Sequence, residues 1–339
     1  MNRFDTRYDI RLAEYEEIPD VMRFIDENWK KGHILATDRE FFEYEMVIDG
    51  IVDFLIAKDK NTSQIEGILG FLPCSKDKSK LDIWGVIWKT VDGAMPLLGM
   101  ELKKRLMSIL GARTDLGVGA NLATSVPLLG RLNHYYTAKM KHYYRLSPSC
   151  EYKIAKIQTV PAQIRSEGDF AEVIMLKTIE DLNAFFDFDD KLVQESIPYK
   201  DSWYYNRRYY CHPVYKYTVW GISRYEKKAV IVTKEQECNG SKALRIVDYL
   251  GEQSLFSRCG DFLLDQLQSN EYVDFYFDGF NERFAKEAGM IDIIETPDNI
   301  IPDYFYPFEQ CNVDIWVDSS NNMQKCTFFK ADGDQDRPN

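Results

Sequence analysis

The segment YDIRLAEYEEIPDVMRFIDEN (8–28) reads as a strand, a polar turn and an amphipathic helix, and the same pattern returns at AEVIMLKTIEDLNAFFDFDD (171–190). At a displacement of 164, Leu12 matches Leu176, Glu16 matches Glu180, Glu17 matches Asp181, Ile18 matches Leu182 and Phe24 matches Phe188. Further along, LDIWGVIW (81–88) and LRIVDYLG (244–251) align at 163 through Leu81/Leu244 and Ile83/Ile246. Two nearly equal displacements so far apart constrain the 339-residue chain to two like halves.

Each half repeats one order of elements. In the first, VDFLIAKD (52–59) and QIEGILGFLP (64–73) alternate as hairpin strands across the turn residues Lys60-Asn61-Thr62-Ser63. A strand over 81–91, a helix over 101–110, a short strand near 116–119 and a helix from about Ser125 follow. In the second, strands at 214–224, 228–235 and 243–250 precede a helix near 261–267, the strand YVDFYFD (272–278) and the helix ERFAKEAGM (282–290). The fold class is α+β: two tandem units, each a mixed, mostly antiparallel sheet flanked by helices. The boundary falls at Leu146-Ser147-Pro148-Ser149, dividing the chain into 1–148 and 149–339.

Composition narrows the partners. Acidic residues outnumber basic ones, 54 to 42, for a net charge of −12, so nucleic acid is not expected. No stretch approaches the roughly 20 apolar residues of a membrane span, and the start carries no signal-peptide core. A cytoplasmic location is expected. Seven scattered cysteines (74, 150, 211, 238, 259, 311, 326) contain no Cys-x-x-Cys pair, so neither a disulfide framework nor a zinc knuckle is expected. The acidic tail Asp332-Gly333-Asp334-Gln335-Asp336-Arg337 is too short for a calcium loop and reads as a solvated or docked end.

The element order is similar to the GNAT N-acyltransferase fold, and the chain resembles a tandem GNAT protein. More narrowly, WKKGHILATDREFFEYEM (29–46), LRIVDYLG (244–251), YFYPF (304–308) and FFKADGDQDRPN (328–339) resemble bacterial acyltransferases of O-antigen or capsule synthesis. That resemblance implies transfer of a 3-hydroxybutanoyl or acetyl group from a coenzyme A thioester, without a metal, to the amine of a nucleotide-linked amino sugar. The dTDP-3-amino-3,6-dideoxyhexose type is implied. It also implies direct attack in a ternary complex, with CoA in the first half and the second half contributing to the sugar-nucleotide site. Two other readings stay open: acylation of an amino acid or peptide amine, and a non-catalytic scaffold of degenerate units.

The resemblance places the donor along the strand bearing Trp84, Val86 and Trp88 and on the loop through Leu98, Gly99 and Met100. A helix N-terminus there suits a pyrophosphate. Of the family's loop glycines only Gly99 is matched, and Leu129 stands where many members carry a Tyr that protonates the leaving thiolate; Tyr135 or Tyr136 is a substitute. Lys103, Lys104 and Arg105 offer positive charge or a solvated face. Asn121 either bonds the pantetheine arm or caps a helix. Three residues are candidate bases: His33 in the acceptor-side loop, Asp82 beside the donor strand, and His142, which otherwise reads as a core histidine. Arg207, Arg208, Tyr209, His212 and Tyr215, in RRYYCHPVYKY (207–217), either meet a thymine and a diphosphate or form an aromatic packing strand.

Overall fold

The computed structural model describes residues 2–132, 134–148, 151–162, 170–323, 326–333 and 336–338. Ser149, on the expected boundary, and Asp334 and Gln335 of the acidic tail lie outside the described residues. The chain forms two compact units, Met1–Gly117 with Arg337–Asn339, and Val118–Asp336.

Unit 1 opens with β1 (Tyr8–Leu12) and α1 (Ile18–Asn28), whose Ile18, Val21, Phe24 and Ile25 are buried at helical spacing and whose Pro19 sits where a missing N–H costs nothing. Then come α2 (Ile34–Thr37), α3 (Arg39–Met46), the small ribbon of β2 (Val47–Ile48) and β3 (Ile51–Val52), β4 (Phe54–Asp59), β5 (Ile65–Pro73), β6 (Asp82–Thr90), α4 (Leu98–Leu110) and β7 (Thr114–Val118). β1, β4, β5 and β6 pair antiparallel in that order, and β7 joins β6 in parallel. Leu98, Leu102 and Leu106 of α4 bury one stripe against Leu55, Leu69, Phe71 and Ile83 of the sheet.

Unit 2 contains α5 (Ser125–Leu132), β8 (Tyr136–Lys139), β9 (Lys141–Leu146), β10 (Glu172–Leu176), α6 (Ile179–Phe185), α7 (Lys191–Gln194), α8 (Ser202–Tyr205), β11 (Thr218–Arg224), β12 (Lys227–Cys238) and β13 (Ser241–Gly251). It continues with α9 (Gly260–Gln266), β14 (Tyr272–Asp278), α10 (Glu282–Glu287), β15 (Ile291–Asp292), β16 (Trp316–Ser319) and β17 (Phe328–Phe329). Its main sheet runs β10-β11-β12-β13-β14-β9-β15, with β13 and β14 parallel, while β16 pairs with β8. The last strand of the first sequence repeat, β9, is hydrogen-bonded along β14, so the repeat boundary and the packing boundary do not coincide.

Strand register reproduces the first displacement and corrects the second. Leu12 faces Leu55 as Leu176 faces Val219, both partners displaced by 164. Leu69 and Trp88 face each other as Val232 and Asp248 do, which places Asp248 on Trp88 at a displacement of 160. The alignment of Leu81 with Leu244 is therefore out of register. The loop at residues 74–81 is replaced by a two-residue turn at Asn239-Gly240, and the local hydrophobic pattern could not see the deletion. In both units the strand facing the parallel partner carries one extra residue, at Val86–Ile87 in β6 and at Val247 in β13. Such a bulge re-aims the following side chains.

One other expectation changes. Residues 207–217 do not form a strand: Asn206–Tyr210 is a π-helical turn continuing α8, and the chain becomes strand only at Thr218. The turn buries Arg208 and Tyr209 together, which alternation cannot do.

Candidate active site

In unit 1, β6 and β7 pair only through Asp82–Trp84 and Thr114–Leu116, and then diverge. Beyond that point β6 carries its bulge and then Trp88, and α4 begins opposite. Leu97, immediately before α4, holds the left-handed conformation at φ 69°; in the first turn the Leu98 N–H bonds the Met95 carbonyl at 3.0 Å, and the N–H groups of Met100 and Glu101 bond the Leu97 carbonyl at 3.1 Å. Trp88 Nε1 donates to the Gly99 carbonyl at 3.0 Å. A Cβ on Gly99 would lie 2.8 Å from that nitrogen, so glycine is required by the indole. The floor of the fork is ionic. Lys103, buried on α4, bonds Asp115 of β7 at 2.6 Å and lies 5.3 Å over the Trp88 ring.

Lys103, Lys104 and Arg105 thus part company. Lys103 is buried with Asp115, Arg105 bonds Glu101 at 2.8 Å and Asp5 at 2.6 Å, and Lys104 is exposed. Trp84, Val86 and Leu98 are buried while Trp88, Gly99 and Met100 are half-buried, so the outer end of β6 and the start of α4 offer the accessible surface.

The three candidate bases each have another task. His33 is buried and caps α2, its Nδ1 accepting the Leu35 N–H at 3.1 Å. A nitrogen that accepts an N–H leaves the proton of the neutral ring on Nε2, so the ring donates there. Asp82 is fully buried and clasped by the Arg113 guanidinium, Nε to Oδ1 at 2.9 Å and Nη2 to Oδ2. That two-pronged fit commits both oxygens to a cation. His142 lies in unit 2, on β9. It stacks on Tyr276 with ring centroids 3.8 Å apart, and its Nε2 is 3.4 Å from Asp274. Burial pushes its pKa down, keeping it neutral despite the carboxylate.

Asn121 also falls in unit 2, where its Oδ1 accepts the N–H groups of Ala123 and Thr124 ahead of α5. Leu129 is buried. The Tyr136 hydroxyl donates to Asp278 at 2.8 Å in a cavity of about 430 Å³ beyond the end of β14, also lined by Lys141, Phe280 and Glu282. Burial and that carboxylate raise the Tyr136 pKa.

The aromatic-basic cluster is brought together, but around the chain's own C-terminal segment. Arg208 donates to the Tyr217 hydroxyl at 2.7 Å and to the Asp336 carbonyl at 2.8 Å. Tyr209 donates to Asp248 at 2.5 Å. Tyr215 lies beneath the Lys234 ammonium, 3.2 Å from its ring centre, and stacks on His212. His212 Nδ1 accepts the Tyr215 N–H at 2.9 Å, and Arg207 lies over Trp203. Sequence reasoning missed Lys200, Lys234, Arg245, Asp248 and Asp303. Each is an ordinary charged residue on a strand or loop, and register marks two of them: Arg245 replaces Gly85 and Asp248 replaces Trp88. Among the described residues no group of His, Cys, Asp or Glu is arranged to hold a metal, and no helix is long and apolar enough to cross a membrane.

No protein-family model and no curated protein sequence matches the chain. Solved structures do. A GCN5-related N-acetyltransferase from Anabaena variabilis is 11% identical, with a TM-score of 0.54 over 92% of this chain and 72% of that one. A conserved protein of unknown function from Enterococcus faecalis, described as a probable N-acyltransferase, is 10% identical with a TM-score of 0.54 over the same shares. The fold is thus that of two tandem GNAT-like units, each a mixed sheet flanked by helices.

Proposed function

We propose that the protein is an acyl-CoA-dependent N-acyltransferase whose donor lies in the β6–β7 fork of unit 1. The observation that carries this reading is the contrast between the two forks. In unit 1 the parallel strands part beside a bulged strand and a helix N-terminus. In unit 2 the corresponding gap is filled by β17. The backbone N–H groups of a bulged strand can hold a pantetheine arm and polarise a thioester carbonyl, and the α4 N-terminus suits the pyrophosphate. Trp88, Gly99 and Met100 line the donor path, with Trp84, Val86 and Leu98 packing behind it.

The acceptor is an amine that attacks the thioester carbonyl directly; the C–N bond forms as the C–S bond breaks, and the amine proton leaves with the thiolate. An aminosugar amine titrates near 8, so roughly a tenth is neutral at pH 7 and no strong base is required. His33 accordingly serves to position the acceptor through Nε2. The finer reading keeps a nucleotide-linked amino sugar as acceptor and a 3-hydroxybutanoyl or acetyl group as cargo. It rests on the sequence resemblance and on the Arg207–Tyr215 segment. Titration calorimetry with CoA and acetyl-CoA tests the donor, and a panel of amino-sugar nucleotides, amino acids and peptides read by mass spectrometry tests the acceptor. Absence of saturable heat would make the chain a non-catalytic scaffold.

A further inference from the structure

One edge of β14 is shared between two partners. Along its β9 edge it pairs from Tyr272 to Phe277. Along the other it pairs with β13 only through Val273, Asp274 and Phe275, and then with β17 through Phe277 and Asp278. β17 and the turn Lys330–Asp332 therefore occupy the fork where β13 leaves β14. This strap brings in three buried ionic groups, Lys330, Asp332 and Asp336. Two are matched by opposite charges: Lys330 bonds Asp303, and Asp336 accepts from Lys234 at 2.8 Å with Arg208 at 3.3 Å.

Asp332 is different. The Lys200 ammonium lies 2.5 Å from Asp332 Oδ1 and 2.7 Å from Asp248 Oδ1, and neither carboxylate has any exposed side-chain surface. Among the described residues Lys200 is the one cation paired with either of them. The other groups facing the triad are the Tyr209 hydroxyl on Asp248, the Phe329 N–H on Asp332 at 2.8 Å, the Tyr249 N–H on Asp248, and the rings of Tyr204 and Tyr205. Two buried carboxylates around one ammonium carry an excess negative charge, which a single proton removes.

We propose that the strap is a proton-dependent latch: a proton on Asp332, whose carboxyl competes with Asp248 for the single Lys200 ammonium, seats it in the β13–β14 fork, and loss of that proton toward neutral pH loosens it. Burial pushes Asp332 up to about 7, Lys200 pulling against it and Asp248 adding to it. In a released strap the carboxyl returns to roughly 3.9. The seated form thus binds more protons between those values. Seating is tightest below the window and weakens as pH rises through it. Lys234, which burial pushes down to about 8, acts in the opposite sense above that pH, so the comparison belongs below it.

Hydrogen exchange on the full chain at pH 5.5 and 7.5, corrected for the intrinsic rate, reads the amides of 328–333 against those of β12. Protection of the strap is expected to fall about tenfold at the higher pH while β12 holds. Asp332→Asn, a neutral isostere, should keep the strap equally protected at both values. A change of less than twofold in the unmodified protein, a parallel fall in β12, or a variant that keeps the full dependence overturns the latch. If the variant does not fold, the strap-to-β12 comparison in the unmodified protein decides alone.

Discussion

The Trp88 indole spans from β6 to the first turn of α4 and donates to the Gly99 carbonyl at 3.0 Å, occupying the space a side chain at Gly99 would need. The glycine and the tryptophan are thus one device, which sets the edge of the proposed donor path.

Gly99→Val should displace the indole and weaken CoA binding at least tenfold, measured by calorimetry. Gly93 provides the control. It sits at φ 87° with nothing within 4 Å of a new Cβ, so Gly93→Ala adds backbone strain of about 1 kcal/mol without touching the path. CoA affinity that survives Gly99→Val in a folded protein would remove the donor from this fork.

Asp82 separates a structural carboxylate from a catalytic one. Asn in its place keeps the shape but leaves Arg113 with a neutral partner, so the variant should lose about 2–3 kcal/mol in urea unfolding. The rate per folded molecule should stay within about twofold. A rate loss of a hundredfold or more in folded protein would restore Asp82 as a base.

His33 caps α2 through Nδ1, so His33→Ala should cost about 1 kcal/mol of stability. If its Nε2–H positions the acceptor, kcat/KM falls while its pH profile between 6 and 9 keeps its shape. A profile that loses its ascending limb near pH 6.5 in the variant would make His33 the base instead.

What the residues disclosed in advance was whatever repeats locally. The alternation in 52–59 and 64–73 places two strands within two residues of where they form, and the amphipathic pattern within 8–28 places a strand and a helix. Those patterns are set by burial on one face, which a short window contains. The second displacement failed because a shortened turn shifts register without altering the apolar pattern on either side. Residues 207–217 failed because a π-helical turn has neither period. The buried ionic cluster was least legible. Lys200, Lys234 and Asp332 look like surface residues until strand pairing delivers the C-terminal segment between them.

Arg208 and Arg207 distinguish a ligand site from a structural one within the same segment. Arg208 is buried against Asp336, whose carboxyl Lys234 and Arg208 hold down at about 2 in spite of burial. Removing the guanidinium leaves Lys234 as the one cation on Asp336 beside the Tyr217 hydroxyl, and strips the Asp336 and Ala331 carbonyls of a buried donor, so Arg208→Met should cost about 3 kcal/mol. Because Asp336 is held below the usual carboxylate range, the stability it contributes is present above about pH 4 and is lost as pH falls toward 2. The difference between Arg208→Met and the unmodified protein should therefore shrink in acid. Arg207, half-buried over Trp203, should leave stability within about 0.5 kcal/mol when changed to Met. If the segment also meets a nucleotide diphosphate, Arg207→Met raises the KM for the nucleotide-linked acceptor at least fivefold while the Kd for CoA is unchanged. An unchanged acceptor KM would confine the cluster to holding the strap.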